Sequence, residues 1–246
     1  MRFENRVALS AMAGINDAEF CNRQRAALVV LGGFNADKKA MEAAKKAVRR
    51  GRKEFVFEDP IAGIEEELKK LRKKTFAVNV RSSTLEGYLA VAELVADYGG
   101  ILEINAHCRQ PEFVEIGCGE ALMFDPERLV EVVRAAAKLV PVSVKIRGGY
   151  GIDYESLSFK VFAAGAKFLH VDAMIPGGGC DLELITRLSK LGNVIGNNSF
   201  VDAKSGEAII KAGAKLASAA RAVLKDERFF EKVLAESPLL SQPIEV

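Results

Sequence analysis

Three residues with chemistry to offer stand together at His107-Cys108-Arg109, directly after the run Ile101-Leu102-Glu103-Ile104-Asn105-Ala106. A thiol and an imidazole can give or take a proton, a guanidinium can hold an anion, and the Asn105 carboxamide can meet a planar ring with both a donor and an acceptor. Lys145 and Arg147 alternate with apolar neighbours in Val142-Ser143-Val144-Lys145-Ile146-Arg147. An ammonium inside an apolar strand needs a partner, so Lys145 reads as a functional group. Asn79, Asp172, Asn197 with Asn198, and Arg221 also follow apolar runs. Amides, a lysine and an arginine facing one cavity suit an anionic, planar ligand that forms hydrogen bonds.

Such groups need elements that converge, and the chain supplies them by strict alternation. Strand patterns at Val7 to Ala13, Ala26 to Gly32, Thr75 to Val80, Ile101 to Ala106, Val142 to Arg147, Phe168 to Ala173, Asn193 to Gly196 and Lys215 to Ala219 are separated by helical patterns. Those helices start at Asp37, Ile64, Thr84, Asp125, Tyr154, Asp181, Ala203 and Asp226, and a short one runs through Phe20 to Arg25. Asp125-Pro126 has the form of a cap and a first-turn proline, and Gly99-Gly100 that of a helix stop. Eight strand-helix pairs predict a single-domain α/β fold, a (β/α)8 TIM barrel over 1–236, with an extended or frayed tail over 237–246. A parallel barrel points every strand's carboxyl end at one rim, which gathers the polar residues named above.

Composition sets the outer limits. With 246 residues, 49% of them hydrophobic and 28% charged, the chain can bury a sizeable core. A net charge of +2 neither demands nor forbids a nucleic-acid partner. The N-terminus lacks a secretory pattern and Ala26 to Leu31 is too short to span a membrane. Four dispersed cysteines, Cys21, Cys108, Cys118 and Cys180, show no metal-ligand spacing and predict reduced thiols in a cytoplasmic protein without a metal. Lys38, Lys39, Lys45, Lys46, Arg49, Arg50, Arg52 and Lys53, with Lys69 to Lys74, read either as solvated outer helices or as a track for an RNA backbone. His170, mid-strand, reads as a packed core histidine. Cys118 reads as a small loop residue that could exchange roles with Cys108, Asp172 as a partner of Lys145 or Arg147, and Gly177 to Gly179 as a mobile lid.

Several segments, in order, resemble the tRNA-dihydrouridine synthases. Ala11-Met12-Ala13-Gly14-Ile15-Asn16-Asp17 is similar to that family's opening Pro-Met-Ala-Gly-Val-Thr-Asp, and Glu103-Ile104-Asn105-Ala106-His107-Cys108 to its Asp-Ile-Asn-x-Gly-Cys-Pro. Gly117-Cys118-Gly119-Glu120-Ala121-Leu122 with Asp125-Pro126, Val142 to Arg147, Val194 to Asn197 and Arg221-Ala222 resemble later segments in the right order. The resemblance implies an oxidoreductase that uses flavin mononucleotide and passes a hydride to an unsaturated ring, a pyrimidine above all. Its substrate would be a nucleotide base or another small molecule, with tRNA as a possible partner. By the same resemblance Ala11, Met12 and Asn79 would meet the isoalloxazine, and Lys145 its N1–O2 edge. Asn197 and Arg221 would take the phosphate, Asn105 would hold the substrate base and Cys108 would donate the proton. Read from their own positions rather than from the resemblance, His107 and Arg147 would also face the substrate.

The pattern departs at His107 (family Gly), Arg109 (family Pro), Asp172 (family His) and Ala220 (family Gly). Asp172 is expected to repel a phosphate, and Ala220 to crowd its approach. The alternatives are a dihydroorotate-dehydrogenase-like enzyme acting on a free small molecule, or a barrel that has lost flavin and serves as a binding protein.

Overall fold

The structure is a computed structural model that describes residues 1–73 and 75–246; Lys74, the last of the second basic run, lies outside them. The barrel strands are β2 (Val7–Leu9), β3 (Leu28–Asn35), β4 (Phe76–Arg81), β5 (Ile101–Ala106), β6 (Val142–Arg147), β7 (Phe168–Asp172), β8 (Val194–Asn197) and β9 (Leu216–Ala219). They follow one another around a closed parallel barrel, β9 pairing back onto β2. A further strand, β1 (Arg2–Phe3), precedes them, and β10 (Ile244–Glu245) ends the described chain. The helices in chain order are α1 (Ala18–Arg23), α2 (Lys38–Arg49), α3 (Pro60–Lys70), α4 (Leu85–Asp97), α5 (Pro111–Val114), α6 (Glu120–Met123) and α7 (Pro126–Ala136). After them come α8 (Tyr154–Ala163), α9 (Leu182–Ser189), α10 (Ala203–Lys211), α11 (Arg221–Lys225), α12 (Phe229–Glu236) and α13 (Pro238–Ser241). Among the described residues no helix is long and apolar enough to cross a membrane.

Local chemistry starts the helices, and α3 begins at Pro60, ahead of the expected Ile64. Asp37, Asp59, Thr84, Asp125, Asp153, Asp181 and Asp202 each stand at an N-cap and accept a backbone N–H of the first turn. Pro60 and Pro126 fill first-turn positions that have no hydrogen bond to lose. Outward strand residues such as Val78, Ile104, Val144 and Val171 join the helices in one core. Inward residues form a separate apolar floor of Ala8, Leu28, Ala77, Ile101, Phe168, Ile195 and Leu216.

Two expectations are corrected. The tail is not frayed: Ser237 is buried and caps α13, Leu240 is fully buried, and its carbonyl accepts the Arg6 N–H at 2.7 Å. β10 then pairs antiparallel with β1, which seats Phe3 under the barrel, edge-on to Phe168 with ring centroids 5.9 Å apart. Two prolines suggested a loose end; burial of Leu240 and the floor under Phe3 hold it instead.

Nor is the helix at Asp37 one of the outer ring. α2 packs Ala43, Ala44 and Ala47 against Phe113 and Cys118 of the long β5–α7 connection, while α3 lies against β3 between α1 and α4. The small alanine face is what lets a loop ring approach the helix closely. The connection itself folds into α5 and α6, and α11 forms ahead of the last predicted helix.

The floor predicts a stability effect. Phe3→Ala empties a sealed site and should cost about 3–5 kcal/mol. A lower urea midpoint checks this, and an unchanged midpoint would show that β1 and β10 do not seal the barrel.

Candidate active site

Above the apolar floor the barrel interior turns polar. Glu103, fully buried on β5, accepts from Asn79 Nδ2 at 2.8 Å, from Ser143 Oγ at 3.2 Å and from His170 Nδ1 at 2.7 Å. A carboxylate only accepts, so Nδ1 carries the His170 proton and Nε2 is left to accept from Ser218 Oγ at 2.7 Å. Burial pushes His170 below its ordinary value, against the pull of the Glu103 carboxylate. Burial acts to raise Glu103, but His170, Lys145 and the Asn79 amide outweigh it and bring the carboxyl down to about 2. His170 is thus the core residue its position suggested.

The next layer is the rim. Lys145, level with Asn105 on β5 and His170 on β7, is buried and donates to the Ser10 hydroxyl. It makes no ion pair among the described residues. Burial draws its ammonium below the ordinary value, against the pull of Glu103 and Asp172. Asn105 is held on both ends: its Nδ2 donates to Asn79 Oδ1 at 2.8 Å, and its Oδ1 accepts the N–H groups of His107 at 3.2 Å and Cys108 at 3.0 Å. The carboxamide therefore fixes the turn that aims the two residues after it.

His107 points across the rim, its Nε2 2.8 Å from Asp172 Oδ2. The same oxygen accepts from Arg147 Nη1 at 3.0 Å, and Asp172 Oδ1 accepts from Asn198 Nδ2 at 2.7 Å. Burial acts to raise the Asp172 carboxyl, but His107, the Asn198 amide and the Lys145 charge hold it well below the usual range. Its charge is thus matched inside the rim, which corrects the expectation that it stands free to repel a phosphate.

Cys108 lies on the other side of the turn. Arg81 Nη1 donates to its Sγ at 3.6 Å, and the side chain borders the Phe113–Cys118 cluster beneath α2. Arg81 and Glu54 form a buried ion pair at 2.5 Å; Arg81 also donates to the Gly33 carbonyl at 3.0 Å and stacks 3.7 Å above the Phe113 ring. Gly119 is required here: it has φ +62, and a Cβ would meet the Cys108 carbonyl at 2.2 Å. Cys118 is sealed, and burial pushes its thiol up to about 12, so it has no role exchangeable with Cys108 in this arrangement. Arg81 and Glu54 escaped the sequence reading. Period-two spacing from Asn79 does place Arg81 on the inner face, but nothing marks Glu54 as its partner.

At the far end of the rim Asn197 donates to the Ser218 carbonyl at 2.9 Å, and Arg221 is exposed with no side-chain partner among the described residues. Asn198 and Ser199 take positive φ, 108° and 52°. Ala220 has φ −126°, which any residue can adopt, so no glycine is demanded there. Ala11 and Met12, both half-buried, follow Ser10 into the rim, where the Met12 carbonyl accepts the N–H groups of Ile15 and Asn16.

Comparison with known proteins shows what the chain is similar to. Residues 59–173 match the family described as dihydrouridine synthase (Dus). An uncharacterized protein of Methanocaldococcus jannaschii is 32% identical over 237 residues, 91% of each chain. A probable tRNA-dihydrouridine synthase of Treponema pallidum is 36% identical over 84 residues, 30% of this chain and 25% of that protein. The chain is a TIM barrel like that of the dihydrouridine synthases. It is accordingly an oxidoreductase of the flavin-dependent kind. A FabK mutant from Thermotoga maritima shares the barrel, with a TM-score of 0.56 over 90% of this chain and 63% of its own, at 15% identity.

The rim fits a flavin on two observations. A buried ammonium with a hydroxyl as its hydrogen-bond partner leaves N–H groups for an electron-rich ring edge, and Arg221 at the far end has its guanidinium free for an anion.

Glu103 is the group whose removal should be felt furthest. Glu103→Leu leaves the buried Asn79, Ser143 and His170 donors without their acceptor, and should cost about 3–5 kcal/mol. The acid response tests the charge separately. A carboxyl lowered from 4.5 to about 2 contributes its full stability above the unfolded value and loses it as pH falls through about 2. Wild-type protein should therefore lose stability progressively between those values, and the variant should lose less, as read by urea denaturation at each pH.

Proposed function

We propose that the chain binds flavin mononucleotide across the carboxyl ends of its strands and reduces a carbon–carbon double bond in a uracil-type ring. The observation that carries this is Lys145: an ammonium buried at the rim, bonded to Ser10 and in no ion pair, on a barrel like that of the dihydrouridine synthases. A bound flavin supplies the hydride. Lys145 would face its N1–O2 edge, where a fixed cation stabilises negative charge as it develops. Ala11 and Met12 line the same side through backbone groups, and the Asn79–Asn105 amide pair keeps the polar edge of the site rigid. Asn197 and Arg221 hold the phosphate end. His107 and Arg147 border the place where a substrate ring must lie, and the proton must come from the turn after β5, where family resemblance points to Cys108.

The substrate is proposed to be a base in RNA. α2, displaced from the outer ring to the rim, carries Lys38, Lys39, Lys46 and Arg49 without ion pairs among the described residues, a surface suited to phosphates beside the mouth. Free small molecules of dihydroorotate type are the second reading, favoured by the anion-binding capacity of Arg147 at the rim.

Two measurements test the cofactor. Purified protein loaded with flavin mononucleotide and dialysed should keep the visible bands of oxidised flavin; a colourless product would overturn the proposal. Lys145→Met removes one charge-assisted contact of about 1.5–3 kcal/mol, which should weaken flavin binding roughly tenfold to a hundredfold in a fluorescence titration.

A further inference from the structure

Arg81 is among the largest side chains that the protein buries fully, and one of its N–H groups ends on a sulfur. A guanidinium withdrawn from water is costly, and a buried ion pair is by itself weak support for a fold, so its place beside the mouth needs a reason. From its contacts we infer that Arg81 is the positioning residue of Cys108: it holds the sulfur in place and stabilises the thiolate left when the thiol gives up its proton. The inference rests on the reading above that Cys108 supplies that proton.

The guanidinium is held on every side. Nη2 meets Glu54 Oε2 at 2.5 Å and donates to the Gly33 carbonyl at 3.0 Å, while the guanidinium carbon lies 3.7 Å from the centre of the Phe113 ring. Nη1 is the arm that reaches further. Glu54 Oε1 is 3.5 Å from it, and Cys108 Sγ accepts at 3.6 Å, an ordinary reach for an atom as large as sulfur. The Arg81 and Glu54 side chains are each 1% exposed, and α2 packs its alanine face over Phe113, so water is kept from the pair. In such surroundings a hydrogen bond to a charged sulfur is stronger than it would be in water. Burial acts to lower Arg81, but Cys108 and Glu54 outweigh it and hold the guanidinium above its ordinary value, so the positive charge persists.

Cys108 is fixed by its backbone as well. Asn105 Oδ1 accepts its N–H at 3.0 Å, and its carbonyl accepts the Glu120 N–H at 2.9 Å. Because Sγ accepts from Arg81, the S–H hydrogen is left to point away from it, and Cys108 is half-buried rather than sealed. In the reducing direction one ring carbon takes a hydride from reduced flavin while the Cys108 S–H bond breaks and its proton passes to the other. The C=C bond becomes a single bond, the ring gains two electrons and two hydrogens, and flavin is oxidised. The S–H electron pair stays on sulfur as a thiolate, which accepts the Arg81 N–H in a charge-assisted bond; water returns the proton afterwards. The contact is stronger after transfer than before it, and that difference lowers the barrier.

The test uses Arg81→Met paired with Glu54→Gln, so that no lone charge is buried, beside Arg81→Lys and Cys108→Ala. Each is loaded with flavin mononucleotide and checked for the visible flavin bands. Reoxidation of the photoreduced enzyme is followed anaerobically with an unmodified tRNA transcript and, separately, with uridine 5′-monophosphate. The paired variant should react about tenfold to a hundredfold more slowly at saturating probe, the size of one hydrogen bond to a charged group. A second readout needs no turnover: alkylation of Cys108 by iodoacetamide at one fixed pH, located by peptide mass. It should slow about tenfold in the paired variant, because the thiolate is the reacting form, whereas loosened packing alone would open the sulfur and speed it. Arg81→Lys keeps the pair with Glu54, and with it the fold, but its single ammonium lacks the fork that meets both partners. It should show a smaller loss on both readouts, and it decides the matter if the paired variant does not hold flavin. Wild-type rates in these variants, or faster alkylation, overturn the role of Arg81 while Cys108→Ala stays inactive. Full turnover in Cys108→Ala overturns the proton reading, and wild-type protein that holds no flavin overturns the flavin reading. Flavin-loaded protein that neither probe reoxidises overturns the pyrimidine reading; the role argued here falls with each of the three.

Discussion

The buried carboxylate of Glu103 is the constraint from which the interior of this barrel follows. A charge in the dry middle of a (β/α)8 barrel is costly unless its oxygens are matched, and here Asn79, Ser143 and His170 match them from three neighbouring positions on β4, β6 and β7. Satisfying Glu103 fixes the Asn79 side chain, whose oxygen is then free to hold Asn105; Asn105 in turn fixes the turn that carries His107 and Cys108. One acceptor at the centre thus sets the aim of side chains two layers higher. The same negative charge opposes the pull of burial on the Lys145 amine.

The sequence makes the scaffold legible because the scaffold is periodic. Alternation along Glu103, Asn105 and along Ser143, Lys145, Arg147 sorts inner from outer residues without any knowledge of the partners. Aspartates at the caps mark where helices begin. What escapes is contact at long range between irregular segments. Phe3 meets the C-terminal strand across nearly the whole chain, and prolines near Leu240 gave no hint of it. Glu54 lies in a stretch without periodicity, so its pairing with Arg81 has no local signature. α2 is amphipathic like an outer helix, and only the small residues Ala43, Ala44 and Ala47 on its buried face distinguish a helix that packs on a loop.

The rim is asymmetric as a result. Over β3 to β5 it is closed by α2, Phe113 and the Arg81–Glu54 pair, a buried ion pair whose stacking and carbonyl contact satisfy the guanidinium. Over β6 to β8 it carries the half-buried Arg147 and Asn198 around the buried Asp172. A planar ligand entering such a mouth has a wall on one side and polar side chains on the other, and Lys145 beneath supplies the charge.

Residue-by-residue comparison with a family pattern treats each departure as a separate loss. Taken singly, His107 crowds a turn that prefers glycine and Asp172 puts a negative charge where a histidine is expected. Taken together they are donor and acceptor of one hydrogen bond, with Arg147 and Asn198 completing the carboxylate. The pair costs little in burial because each member supplies what the other lacks. That is why the two substitutions are better understood as one change in the equipment of the site than as two defects in it.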